Sequence, residues 1–415
     1  VKFGLFFEHQ VQRPWAEGDE HRVLTEALEQ AEAADRLGFD HLWVVEHHFL
    51  EEYSHSSAPE VFLGACAART KQIRLGHGIV LMPPRYNHPA RVAERIATLD
   101  LLSGGRVEFG TGTSGSRTEL EAFGIDPAEK QAMWEEAVTE VAEMMSRTPY
   151  PGYEGRYFSM PARNVVPKPL QKPHPPLWCA CSRRETIHGA AKHGIGALTF
   201  SFVDPADARG WVEDYYRTLE KECVPIGRRV DPNIAMVAPL SLHSDAAEAL
   251  RRAREGFEYF LYGLGHYYGF GIHHPGLTSL SDGFRRVPKT TWRAERYPGM
   301  GTPEEVRRDL RAFEAAGVDQ VVFLLQSGRT EHRHILETLE CFAAEVMPEF
   351  KARAPEAEAK KAARLAPIIE AAMARKPARP EIPPHELPAH EAYGRSSAKA
   401  PGLIVEDPKA PKRKR

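Results

Sequence analysis

Short apolar or β-branched runs alternate with helix-forming stretches across residues 1–350, and that alternation limits the possible folds more than any other feature. The runs are KFGLFF, HLWVVE, IRLGHGIVL, RVEFGT, LWCAC, ALTFSF, IAMVAPLSL and QVVFLL. Between them, Glu20 to Leu37 repeats apolar residues at helical spacing and stops at Gly38. Further helices are predicted over Pro89–Leu102 and Met133–Ser146. Asp204-Pro205 and the Thr302/Glu305 capping box announce later ones. Strands alternating with helices imply a parallel sheet. Eight such units in about 350 residues fit a (β/α)8 TIM barrel with insertions; an open doubly wound sheet is the alternative. The irregular stretches 263–301 and 149–176 are long enough to expect functional lids.

The tail, 351–415, carries 10 of the 33 prolines, with 15 basic against 8 acidic residues. Its net +7 leaves the body at −10. Because proline fixes φ and lacks a donor, the tail reads as an extended C-terminal arm, apart from the 1–350 barrel. Its PKRKR end has the letters of a nuclear-localisation patch, or is simply a solvated basic end. The whole chain is nearly balanced, with 54 basic and 57 acidic residues. That gives no electrostatic case for nucleic acid or a membrane surface, and no apolar run reaches the roughly 20 residues of a span. The opening VKFGLFFEH lacks a cleavage site, so no secretory signal is expected. Five cysteines, with Cys179 and Cys181 two apart on a strand, argue against a disulfide framework or a metal clamp. A reduced, cytoplasmic setting is the expectation.

Four segments can carry chemistry. Glu46-His47-His48-Phe49 ends the second strand, where a barrel places its active-site mouth. On a continuing strand the two imidazoles face opposite ways, so joint metal ligation is disfavoured, although Glu8 or His9 could complete a set; structural hydrogen bonding is the plain alternative. Gly110-Thr111-Gly112-Thr113-Ser114-Gly115 matches the dinucleotide fingerprint in letters only, since it follows the fourth strand and no helix opens directly. Its small residues would let a flat ring or a phosphate approach the backbone, or serve a turn. Ser182 and Glu185 read as a capping box. Arg183 and Arg184 in a helix's first turn oppose the helix dipole, which suggests a phosphate cradle or, more plainly, surface ion pairs. Finally, Phe257 to His274 is dense in aromatic residues, suited to an apolar pocket or to a helix's core side.

Taken together, these segments resemble the bacterial luciferase-like family of flavin-dependent monooxygenases over nearly all of residues 1–350. The resemblance rests on KFGLFFE, ALEQAEAADRLGFDHLWVVEHHF, GHGIVLMPPRYNHPARVAERIATLDLLSGGRVEFGTGTS, FEAAGVDQVVFLLQSG and EVMPEF. It implies a barrel binding reduced FMN, supplied by a separate flavin reductase, at the strand C-termini. One atom of O2 would then enter a small apolar aldehyde, ketone or terpene-like substrate through a flavin hydroperoxide. It implies His47 as the residue working beside the flavin. The cofactor contacts it implies are Gly78, Thr111, Gly112, Thr113, Ser182, Arg183, Arg184 and Thr186, and the substrate-pocket residues are Phe6, His48, Phe202, Tyr262 and His266. A homodimer and no metal are expected. Where the luciferase chain has Cys-Arg after the fourth strand, this chain has Gly112-Thr113, so a phosphate-binding cation must come from elsewhere, with Lys130 or Gln131 nearby. Deazaflavin-dependent hydride transfer on the same barrel, or a non-catalytic flavin-binding partner subunit, are the other readings.

Overall fold

The computed structural model describes residues 1–200, 202–292 and 294–390. The eight runs form strands β1 (Lys2–Phe7), β2 (His41–Val44), β3 (Arg74–His77), β4 (Val107–Gly112), β5 (Leu177–Cys181), β6 (Gly196–Thr199), β7 (Ile234–Pro239) and β8 (Gln320–Leu324). Each pairs in parallel with its neighbours in chain order. Lys2 lies opposite Gln320 where β8 meets β1, and Leu75 opposite Val107 where β3 meets β4, so the sheet closes on itself. The protein is a (β/α)8 barrel and not an open sheet. The helices are α1 (Asp19–Leu37), α2 (Pro59–Arg69), α3 (Pro89–Leu102), α4 (Arg117–Ala122), α5 (Lys130–Ser146), α6 (Arg184–Lys192), α7 (Pro205–Glu222), α8 (Ala246–Gly265), α9 (Leu280–Arg286), α10 (Pro303–Ala316), α11 (His332–Cys341) and α12 (Met347–Arg375). None is long and apolar enough to cross a membrane.

The alternation of side chains along a strand sorts the core into two parts. Outward residues such as Phe3, Leu5, Leu42, Val44, Leu75 and Phe109 pack beneath the helices. Inward residues such as Phe6, Trp43, Trp178, Leu198, Val237 and Val322 fill the barrel. Trp43 and Trp178 meet edge to face with centroids 5.1 Å apart, a favoured aromatic arrangement. Each needs a glycine on the next strand: a Cβ on Gly76 would lie 2.3 Å from Trp43, and one on Gly196 2.4 Å from Trp178. At the N-terminal end, Glu108 accepts from Arg74 and from Trp178 Nε1, the latter at 2.7 Å. The barrel is thus plugged from below, and any site must lie at the opposite, C-terminal mouth.

Predicted caps form where side chains can reach orphan amides. Gly38 ends α1 at φ 87°, Asp204 accepts from Ala206 N, and Thr302 and Glu305 close their box. The Ser182/Glu185 box is displaced by one residue. Arg183 holds the cap position, and Thr186 Oγ1 accepts its N–H at 3.3 Å. The 149–176 insertion carries an antiparallel hairpin, Tyr150–Glu154 with Ser159–Arg163. The 263–301 insertion opens with a π turn, His266–Phe270, continuing α8, and later forms α9.

The expected arm beginning at 351 is corrected. α12 runs to Arg375, with Leu365 and Ala372 buried in the outer core. Pro355 and Pro367 lie within it on exposed positions, so the carbonyls they leave unpaired can be hydrated and the helix persists. One compact unit spans Val1–Arg379 and a second starts at Pro380, with a short turn at Pro384–Glu386. The PKRKR end lies outside the described residues.

Candidate active site

Among the described residues, five non-glycine residues have positive φ: His9, Phe49, Glu51, Ser114 and Phe202. His9 follows β1, Phe49 and Glu51 follow β2, Ser114 follows β4 and Phe202 follows β6, so all five sit beyond strand C-termini. Strained backbone of this kind clusters where surrounding structure holds a functional constellation in place.

At this mouth His47 is clamped between two carboxylates. Its Nδ1 lies 3.1 Å from Glu119 Oε1, and its Nε2 3.8 Å from Glu8 Oε2. Glu119, fully buried on α4, also accepts from His48 N at 2.9 Å and from the Ser114 hydroxyl. Tyr53 OH donates to Glu8 Oε1 at 3.2 Å. Burial opposes charge on the imidazole, yet Glu119, Glu8 and Glu46 raise its pKa to about 9. Burial pushes Glu8 up to about 7, against the pull of His47 and two hydroxyls. Glu119 stays below the usual carboxylate range despite burial, because His47, Ser114 and the His48 amide stabilise its charge. At neutral pH the site therefore holds a charged His47–Glu119 pair beside a Glu8 near its midpoint. The His47 side chain remains 15% exposed.

His48 turns the other way. Its Nε2 lies 3.2 Å from Glu46 Oε1, and its ring packs against Tyr86 and Phe123. Its expected place in the substrate pocket is corrected to this bracing position. His9 packs on Phe7 and Phe62 and does not join the His47 cluster. Among the described residues, no group of three or more His, Cys, Asp or Glu is arranged to hold a metal ion.

An aromatic roof covers His47. Tyr53 and Tyr268 approach its ring at 5.8 and 6.4 Å. Phe260 stacks on Tyr53 at 5.4 Å and meets Phe202 at 5.6 Å, while Phe6 meets Phe200 at 5.1 Å. Phe6 and Phe202 thus pack into this set of rings at the mouth. Tyr262 and His266 pack with Phe270, and Tyr262 also with Phe284, while His266 meets Tyr267. The roof is tied down by Glu52, which is fully buried and accepts from Arg13 N, Leu280 N, Tyr259 OH and the Ser281 hydroxyl.

The remaining expected contacts divide. Gly78 and Gly112 sit on the inner face, where an added Cβ would press on Phe6 and Trp43, or on Ile79. Among the described residues, the Thr113 hydroxyl donates to its neighbour's carbonyl, at 3.2 Å. Thr111 is corrected: it points outward, donating to Trp178 O at 2.8 Å and accepting from Trp134 Nε1 at 3.0 Å. Ser182 and Arg183 are exposed at the start of α6, and Thr186 serves the cap. Arg184 is corrected too, because it pairs with Asp214 of α7. Lys130, opening α5, donates to Ser114 O. Burial and the neighbouring Arg183 cation hold its ammonium below the usual lysine range. Two cations that close make a seat for an anionic group. The cation pair, and a buried Glu8 Oε2 that has no hydrogen bond among the described residues and lies 3.8 Å from His47 Nε2, fit a flavin with a phosphate tail. Sequence reasoning missed Glu119 and Tyr53, and saw Tyr268 only as one of the aromatic residues between Phe257 and His274. The only local signal at Glu119, Ser116-Arg-Thr-Glu119, reads as a capping box and points away from the site.

The family model for luciferase-like monooxygenases matches residues 1–320. The chain is 27% identical to limonene 1,2-monooxygenase of Rhodococcus erythropolis over 84% of its length and 87% of that protein. It is 26% identical to the oxygenase component of the flavin-dependent trigonelline monooxygenase of Acinetobacter baylyi, over 84% and 96% of the two chains. The crystal structure of monooxygenase RslO1 from Streptomyces bottropensis superposes with a TM-score of 0.68 at 26% identity, covering 84% of this chain and all of that one. The uncharacterized protein y4wF of Sinorhizobium fredii is 38% identical over 48% of this chain, a match spanning only about half of that relative, 56%. An F420-dependent glucose-6-phosphate dehydrogenase of Microbacterium testaceum is 28% identical over 55% of this chain and 68% of that protein. The chain belongs to the luciferase-like monooxygenase family, a family of enzymes.

Proposed function

We propose that this protein is the oxygenase component of a two-component flavin monooxygenase. It would take reduced FMN from a separate reductase and place one atom of O2 into a small apolar substrate. The observation that carries this reading is His47 held between the buried carboxyl groups of Glu119, at 3.1 Å, and Glu8, at 3.8 Å, at the barrel mouth beneath an aromatic roof. Bound reduced flavin would supply the electrons and the oxygen activation. Lys130 and Arg183 would hold its phosphate. His47 holds a proton on Nε2, facing Glu8, and Glu119 keeps it there by pairing with Nδ1. Glu8, near its midpoint at neutral pH, can release or accept the proton that such chemistry moves. Tyr53, Tyr268 and Phe260 exclude water from the reacting centre.

A deazaflavin-dependent hydride transfer is the second reading, favoured by the likeness to an F420-dependent dehydrogenase. The test supplies chemically reduced FMN or reduced deazaflavin to the protein, with a panel of aldehydes, ketones and terpenes, in air and without oxygen. Oxygenated product from FMN in air supports the proposal. Oxygen-independent reduction by deazaflavin, without oxygenated product from FMN, overturns it.

A further inference from the structure

The two most exposed large apolar side chains among the described residues, Leu277 and Ile272, are 83% and 79% exposed and stand on one short turn at the barrel mouth. Phe270, also exposed, leads into that turn, two residues after the Tyr268 ring that covers His47. The turn is anchored, and it is folded inside out. Its polar groups face the protein. Glu51 Oε1 accepts from Gly276 N at 2.7 Å and lies 3.1 Å from His273 Nε2, while Glu51 Oε2 accepts from Arg13 at 2.8 Å. The His273 side chain is only 7% exposed. Thr278 Oγ1 accepts from His274 N at 2.7 Å and closes the turn. The exposure of its aliphatic residues is therefore built into the fold and is not fraying. Arg13 extends the patch, reaching Gly276 O at 3.5 Å and lying over the exposed Trp15 ring at 4.3 Å. Phe49, exposed as well, comes two residues before Glu51. Single exposed apolar residues need no explanation, but a cluster of them on a held surface marks a contact site.

The charges beside the patch say what covers it. Residues 271–292 carry Arg285, Arg286 and Lys289 against one carboxylate, Asp282. Arg285 takes that carboxylate, at 3.2 Å. Arg286 and Lys289 are exposed and pair with no carboxylate among the described residues. The Arg286 cation lies close enough to Tyr262 to act on its hydroxyl, and the Tyr262 ring packs on Phe270 at 5.7 Å. A free cation thus borders the apolar tips. The near balance of the whole chain averages this segment away. Protein interfaces are depleted in lysine. Unpaired lysine and arginine beside protruding apolar residues are instead what an anionic bilayer attracts, the cations to its phosphates and the apolar tips to its acyl boundary. Tryptophan, here Trp15, is favoured at that same boundary.

We propose that this rim docks on an anionic lipid bilayer, with Phe270, Ile272 and Leu277 entering the headgroup region and Arg286 and Lys289 against the lipid phosphates. The bilayer would then be the reservoir for the small apolar substrate proposed above, a consequence that rests on that function; the docking itself does not. The test is co-sedimentation of the full-length protein, without flavin or substrate, with vesicles of phosphatidylcholine alone or mixed in equal parts with phosphatidylglycerol. Half of the protein should sediment with the mixed vesicles at about 1 mM lipid or less in about 0.1 M salt, and far less with phosphatidylcholine alone. Ile272→Ser and Leu277→Ser alter side chains that stand in water, where folding is not at stake, and each should weaken this binding about tenfold. Arg286→Gln combined with Lys289→Gln should weaken it about as much. No sedimentation with the mixed vesicles overturns the proposal. So does binding that Ile272→Ser and Leu277→Ser leave unchanged, or binding equally strong to phosphatidylcholine alone. If instead the parent self-associates without vesicles and Ile272→Ser abolishes that association, the rim is a contact between two copies and the proposal falls.

Discussion

A buried imidazolium survives only where carboxylates compensate its lost hydration, and His47 has them on both sides. The consequence is a pH dependence with a definite sign. The folded-state pKa of His47 is raised from 6.5 to about 9, so the folded protein binds the proton more tightly than the unfolded chain. The stability this contributes is fully present below about pH 6.5 and is lost as pH rises through about 9. The melting temperature should therefore fall between pH 7 and pH 9 (roughly the interval separating the two pKa values), and His47→Gln should flatten that fall. An identical slope in the variant would show that His47 is not charged in the fold. His47 was visible in the sequence because it stands at a strand end. Glu119 was not: its partner lies 72 residues earlier, and a pattern of one helix turn cannot show a bond that only barrel closure creates.

At the scale of elements, the start of α6 and the long insertion carry the sharpest expectations. Arg184 is engaged with Asp214, whereas Arg183 stands close enough to Lys130 to depress its pKa. Charge-assisted hydrogen bonds contribute about 1.5–3 kcal/mol each. Arg183→Ala and Lys130→Ala should each cut the preference for FMN over riboflavin about tenfold or more, and Arg184→Ala should leave it intact. Equal losses at Arg183 and Arg184 would restore the reading in which both hold phosphate. Glu52 is the anchor of the roof. Glu52→Ala would leave its buried donors unpaired, at about 1–3 kcal/mol each, and should speed proteolysis and amide exchange across 263–301 before the barrel unfolds. Uniform loss of protection across the whole barrel would instead make Glu52 a global core residue. The strands and most helices were legible because hydrophobic period and caps are local. The position of α6 shifted by one residue because Thr186 competes for the cap, and the sequence pattern does not rank the two.

For the whole molecule, the C-terminal boundary is what the sequence concealed. Counting prolines suggested an arm from 351, yet both helix prolines lie on exposed positions while Leu365 and Ala372 are buried. Lys361 reaches Asp319 at 2.8 Å, and Arg375 donates to Cys223 O at 2.7 Å. A chain ending at Arg379 should melt within a degree or two of the full protein (about ±0.5 kcal/mol, as for changes away from the core). One ending at 354 loses two buried apolar residues, each contributing about 1–3 kcal/mol, and should melt several degrees lower. Equal melting temperatures would return α12 to the status of an appendage.

The proposal that His47, held between Glu8 and Glu119, acts on the chemistry while His48 only braces the mouth has a direct test. The direct measurement is a single turnover in air with chemically reduced FMN and an accepted substrate, scoring oxygenated product against released hydrogen peroxide in the parent, His47→Ala and His48→Ala. His47→Ala should bind FMN within about tenfold of the parent, lose roughly 10²–10⁴ of its oxygenation rate and release peroxide instead. His48→Ala should lower the melting temperature and keep the parent's product-to-peroxide ratio. Oxygenation at the parent rate by His47→Ala would contradict the claim.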